Sequence, residues 1–165
     1  AFILSASLRP QNLFGFRVGG AMYGDRISRG GVEFADELIG SGHVVWDRGR
    51  VEAIAEYIHV SHSELTAEES FSSPSWYAHV GYRLTGSLSD LTPYVRYEDL
   101  DIDEADPVFT GFIGDYEGFI AGVRYDFEDF AALKGEYRNE SFSGADRTDS
   151  WFAQASFAIP ISGGS

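Results

Sequence analysis

The sequence predicts an all-β fold, specifically a transmembrane antiparallel up-and-down β-barrel, on three observations. Apolar and polar residues alternate with a period of two along almost the whole chain. No segment carries a convincing helical stripe. The connections alternate between short and long, which would give one rim of tight turns and another of long loops, as membrane barrels have.

Taken in order, a strand at 2–8 precedes a short connection at Arg9–Asn12 and a strand at 13–23. A long connection, 24–36, leads to a strand at 37–47 and a tight turn at Arg48–Gly49. The next strand, 50–61 (RVEAIAEYIHVS), contains helix-forming Glu and Ala, yet Val51, Ala53, Ala55 and Tyr57 alternate with Glu52, Ile54, Glu56 and Ile58. A long connection at 62–74 is followed by strands at 75–85 and 91–100, joined through Gly86–Asp90. After 101–116 come strands at 117–127 and 130–140, turning at Glu128–Asp129, and then a connection at 141–149 and a last strand at 150–160. Tyr57, Tyr97 and Tyr137 recur every 40 positions, the spacing of one hairpin.

Alternation alone does not say which face meets water. The apolar face carries rings at its ends and small residues between them: Trp76 and Tyr82 bracket Ala78 and Val80, Phe119 with Tyr125 and Phe127 bracket Ala121 and Val123, and Trp151 and Phe157 bracket Ala153 and Ala155. With Tyr97 and Tyr137, these rings are the expected lipid-interface aromatics. A packed soluble core would place its bulk at mid-strand. The opposite face carries Arg17, Glu52, Glu56, Arg83, Arg96, Glu98, Arg124, Asp126, Lys134, Glu136, Arg138 and Glu140, the expected pore-lining set. Both signs occur on neighbouring strands, where they can pair. The competing reading is a soluble sandwich whose solvent face is charged.

The bulk numbers exclude several classes. With 26 acidic and 12 basic residues the formal charge is −14, a surface that repels nucleic acid. No cysteine is present, so neither disulfides nor thiolate metal sites arise. No run of about 18 apolar residues could form a spanning helix. Residues 1–165 read as one outer-membrane barrel domain of eight or nine strands. Because nine is odd and bacterial single-chain barrels are even, the expectation is the C-terminal part of a larger barrel. The alternative makes 1–12 a tail on a complete eight-stranded barrel. Residues 162–165 read as native or as an added linker.

The runs LRPQNLFGFRVGG, WYAHVGYRL, TPYVRYEDLDID, YEGFIAGVRYDF, FAALKGEYRNE and WFAQASFAIP resemble the closing strands of Gram-negative outer-membrane porins. The nearest resemblance is to the porin O/P-like group, in which Gly122–Asp126, a tight turn and Ala132–Tyr137 look like a familiar close. The resemblance implies a bacterial outer-membrane channel for small hydrophilic solutes or ions, with no catalysis and no cofactor. Its partners would be membrane lipid, lipopolysaccharide and further copies, such as a trimer. It does not carry phosphate selectivity, since Lys134 is the only lysine. The chain also departs from the family in continuing past Phe157 as AIPISGGS.

Acidic loop residues Glu64, Glu68, Glu69, Asp101, Asp103, Glu104 and Asp106 would make a negative outer vestibule with mild cation preference. A silent structural or adhesive barrel would act through those same loops, and a soluble sandwich would bind a ligand. His59 and His62, with Ser61 and Ser63 nearby, lack nucleophile-elbow or oxyanion features and suit a strand end or rim. The series Asp99, Asp101, Asp103 fails as an EF-hand, because Glu104 and Thr110 stand at its sixth and twelfth positions. Asp101, Asp103 and Asp106 remain only a loose divalent candidate shared with lipopolysaccharide; the plainer reading is a solvated acidic loop. Gly19–Gly20 and Gly40–Gly42 precede no helix, so they suit close strand packing and not phosphate.

Overall fold

The computed structural model describes residues 1–67, 69–128 and 130–157. They form one antiparallel sheet whose strands follow chain order: β1 (Phe2–Leu8), β2 (Phe16–Arg29), β3 (Val32–Arg48), β4 (Val51–Glu64), β5 (Ser70–Tyr82), β6 (Leu91–Leu100), β7 (Tyr116–Glu128), β8 (Ala131–Phe142) and β9 (Thr148–Phe157). The helical content of the described residues is a single 3₁₀ turn at Gly86–Leu88. The meander is open: β1 and β9 are its edges and do not pair with one another. Because β1 pairs with β2 from Phe2 to Leu8, the tail alternative for 1–12 does not hold.

The sheet is rolled. One cavity of about 500 Å³ touches Asp47 on β3, Glu52 on β4, His79 on β5, Tyr94 on β6, Arg124 on β7 and Lys134 on β8, and reaches Gln154 on β9. Seven neighbouring strands laid flat would span roughly 30 Å at their usual spacing. A cavity that small meets all seven only if the sheet curves around it. The face lining the cavity is called inner below, and the other outer.

The connections differ from the sequence reading. Residues 24–36 are not a long loop, since β2 and β3 run on to Arg29 and Val32 and turn on Gly30–Gly31. Both glycines have positive φ, +63° and +84°, the backbone a tight type I′ hairpin turn needs. Likewise β4 and β5 shorten the expected 62–74 connection to 65–69. The first short connection is instead longer, 9–15. Long and short connections therefore do not alternate strictly. What distinguishes one end of the sheet is the projection of the hairpins β2–β3 and β4–β5, together with the long segment 101–115. The last strand ends at Phe157 among the described residues; its expected remainder, residues 162–165, Glu68 and Asp129 lie outside them.

Candidate functional site

Strand register sorts the expected residues onto the two faces. Glu52 stands opposite Asp47 and Glu56 opposite His43. Arg96 faces Ile120, which faces Arg138. Glu98, Gly118 and Glu140 form the next row, Tyr94, Gly122 and Glu136 another, and Thr92, Arg124 and Lys134 a third. Arg17, paired with Val45, and Asp126, paired with Ala132, share this inner face, and Arg83 lines its cavity just beyond β5.

The most covered side chains lie on the inner face, although Glu52, Arg83 and Arg124 there are exposed. Ile120 is fully buried and Glu136 is 1% exposed. Glu136 accepts a hydrogen bond from the Tyr94 hydroxyl at 2.7 Å and from Arg138 Nε at 2.8 Å, and Lys134 Nζ lies 2.6 Å away. Lys134 also stands 5.2 Å from the centre of the Tyr94 ring, whose other neighbour is His79 at 5.1 Å. Further along, the Tyr116 hydroxyl donates to Glu98 and Glu140, at 3.1 and 2.8 Å. Arg124 Nε donates to Asp126 at 2.7 Å. Arg96 Nε lies 3.0 Å from Glu98 yet makes no aligned hydrogen bond. A half-buried ladder of charges is costly unless paired, and most of these are paired along or across strands.

The outer face is the reverse: apolar and open. Val80, Val95, Val123 and Leu133 are exposed, as are Trp76, Tyr82, Phe119, Tyr125, Phe127, Trp151 and Phe157; Tyr97 and Tyr137 are half-buried. Two ring rows border a band of Ala, Val, Gly, Pro and Leu. The upper row runs Tyr57, Trp76, Tyr97, Phe119, Tyr137, Trp151, with Trp76 against Tyr97 at 5.2 Å and Tyr137 against Trp151 at 5.4 Å. The lower row holds Trp46, Tyr82, Tyr125, Phe127 and Phe157. Six residues separate the rows on β5, β7 and β9, about 15–20 Å along a tilted strand. Polar groups begin beyond the upper row: the Tyr97 hydroxyl donates to Glu117 and the Tyr137 hydroxyl to Asp149, both at 2.7 Å, and Arg147 pairs with Glu117.

One feature escaped the sequence reading. β6 pairs with β5 only from Ser75 to Gly81, so Ser70–Pro74 is left to the 101–115 segment. That segment folds onto the inner face. Asp101 N–H donates to Pro74 O at 3.0 Å, Asp103 N–H to Ser73 Oγ at 3.2 Å, and Ile102 is buried. Asp106, expected in the outer vestibule, is instead 1% exposed, with Oδ2 2.5 Å from His62 Nδ1. His62 Nε2 lies 3.0 Å from Glu37 Oε2. His62 is thus near a strand end, as expected, but wholly buried. Its partners remove Asp106 from the divalent candidate, and no cluster of three or more His, Cys, Asp or Glu side chains that could hold a metal occurs among the described residues. His59, two positions from Tyr57 on the outer face, stacks on the Tyr57 ring with centroids 6.4 Å apart and lies 3.4 Å from Ser72 Oγ.

Tyr94, Tyr116, Tyr77 and His79 also belong to the inner face and were missed. The signal was available in parity: Tyr94 is two positions from Arg96, and Tyr77 is paired with Glu56. Comparison with known proteins returns nothing: no family model, curated protein or solved structure matches this chain.

Proposed function

We propose that the chain forms wall of a bacterial outer-membrane β-barrel through which small hydrophilic solutes or ions diffuse, with mild cation preference. The carrying observation is the inversion of the two faces. Rings and aliphatics are exposed on the outer face while Glu136, Lys134, Arg138 and Tyr94 are drawn together on the inner one. In water that arrangement wastes the hydrophobic effect. In a bilayer it places the apolar band against acyl chains, the ring rows at the two interfaces and the ion-pair ladder against enclosed water. The tyrosine hydroxyls bonded to Glu117 and Asp149 fit an interface, where a ring has one greasy and one wet end.

Hydrocarbon tolerates no unpaired backbone, so this reading requires that β1 and β9 each meet a further strand, from the same polypeptide or another copy. Selectivity follows from the net charge of −14 and from exposed Asp101 and Glu104 at the projecting end. The test is current across a planar bilayer under a salt gradient. The reading expects steady conductance with a reversal potential on the cation side. A membrane-inserted but silent protein would replace the channel with a structural barrel, and anion preference would remove the charge argument.

A further inference from the structure

We propose that the 101–115 segment is a pH-sensitive gate, latched onto the inner face by His62; the proposal rests on the channel reading above. His62 is fully buried between two carboxylates on different parts of the chain, Glu37 on β3 at 3.0 Å and Asp106 in the segment at 2.5 Å. An ionised carboxylate can only accept, so both contacts are hydrogen bonds only when both ring nitrogens carry protons. With both carboxylates ionised, the latch is an imidazolium shared by two anions. Phe109 of the same segment sets its ring edge-on to His62 with centroids 4.8 Å apart, closing the cluster from water.

The surroundings make the charge on the ring decisive. β3 presents Glu37, and β2 presents Asp25 in register with Glu37, next to Tyr23. The segment presents Asp106, with Asp103 and Glu104 close in sequence. β5 presents Phe71 and Ser73, which carry no charge. Of the cations near it, Arg29 at the end of β2 is used on the Pro107 carbonyl at 3.2 Å, and the N-terminal ammonium lies 3.3 Å from Asp25. When the ring loses a proton, one buried carboxylate faces a lone pair and the cluster gains a second uncompensated negative charge. That is costly away from water, and the cost is relieved by Asp106 leaving. The latch is thus held while the ring carries both protons and released when it does not. Ile102, buried and donating its N–H to Asp115 at 2.9 Å, anchors the segment's base, so the part that swings lies beyond it.

The chain has no cysteine, so two introduced ones carry spin labels uniquely. With Ser28→Cys and Ala105→Cys, both at exposed positions, the distance distribution in lipid is read from about pH 5 to about pH 9. The expected result is a single short population at the acid end and its loss at the alkaline end. His62→Phe should lose that population throughout. Asp106→Asn, which can donate to a neutral ring, should keep it throughout. An unchanged wild-type distribution, or a His62→Phe protein that stays latched, overturns the proposal. Conductance of the same samples should rise with the loss of the short population; distances that move while an open current stays fixed would remove the gate. A protein silent at every pH defeats the channel reading instead, while the distances still decide the latch.

Discussion

Replacing Glu136 by Gln removes one charge from the most covered acidic group of the ladder. Its carboxylate serves the Tyr94 hydroxyl, Lys134 and Arg138 at once. The amide keeps an acceptor but turns two hydrogens toward a guanidinium and an ammonium that can only donate. A hydrogen bond to a charged group contributes about 1.5–3 kcal/mol. Lys134 and Arg138 are 32% and 26% exposed, so water recovers part of the loss. The net destabilisation is then about 2–3 kcal/mol, below the 3–5 kcal/mol typical of a broken, fully buried pair. The same change leaves Arg138 with Glu140 and takes from Lys134 its Glu136 partner, a local shift of one positive charge. Urea unfolding of the lipid-inserted protein reads the first effect, and the reversal potential reads the second, as a move toward anions. Unchanged stability would mean that the Glu136 cluster is not formed. An unchanged reversal potential would mean that the ladder does not see the permeating ion.

Three further outcomes follow from other positions. Val123→Arg on the exposed outer face should destabilise the lipid-inserted protein by about 2–4 kcal/mol, the cost near a bilayer midplane, where an ordinary water-exposed site would register about 0.5 kcal/mol or less; unfolding titrations distinguish the two. Gly122→Ala places a methyl group within 2.4 Å of the Tyr94 ring and 2.9 Å of the Gly135 carbonyl. It should cost about 1–3 kcal/mol and push the ring toward the lumen, seen as lower single-channel conductance. Gly31→Val forces a β-branched residue to φ +84° in the β2–β3 turn, and should cost about 1–3 kcal/mol in the same unfolding assay while leaving conductance unchanged.

Much of the architecture was legible because one physical demand repeats nine times. A strand with an apolar side and an ionised side must alternate, so the strand count and the parity of residues such as Arg96, Glu136 and Val123 could be read directly. The hairpin tips were not legible for the converse reason. Beyond the upper ring row neither face is apolar, and Asp25, Arg26, Glu33 and Asp36 read as loop although they are strand, with Arg26 pairing to Glu33 and Asp36. Polar strands give no period. Gly30–Gly31 was the available hint, since a glycine pair between extended segments favours a two-residue turn. The role of Asp106 was hidden more deeply. Its contact with His62 joins residues 44 positions apart and depends on β6 stopping short of Ser70–Pro74. Tyr94 was overlooked because aromatics were assigned to the lipid side, although its parity places it with the charges, and Tyr116 because it was read as the end of the 101–116 connection.

The central claim is that the ring-bordered face of the sheet meets acyl chains and the charged face meets water. Single cysteines at Val123 and Ala153, and separately at Arg124 and Gln154, each carrying an environment-sensitive fluorophore in vesicles, measure this directly. The account predicts that lipids brominated on their chains quench the first pair and that aqueous iodide quenches the second. Iodide quenching of Val123 and Ala153 together with chain quenching of Arg124 and Gln154, or no chain quenching at any of the four, would contradict it.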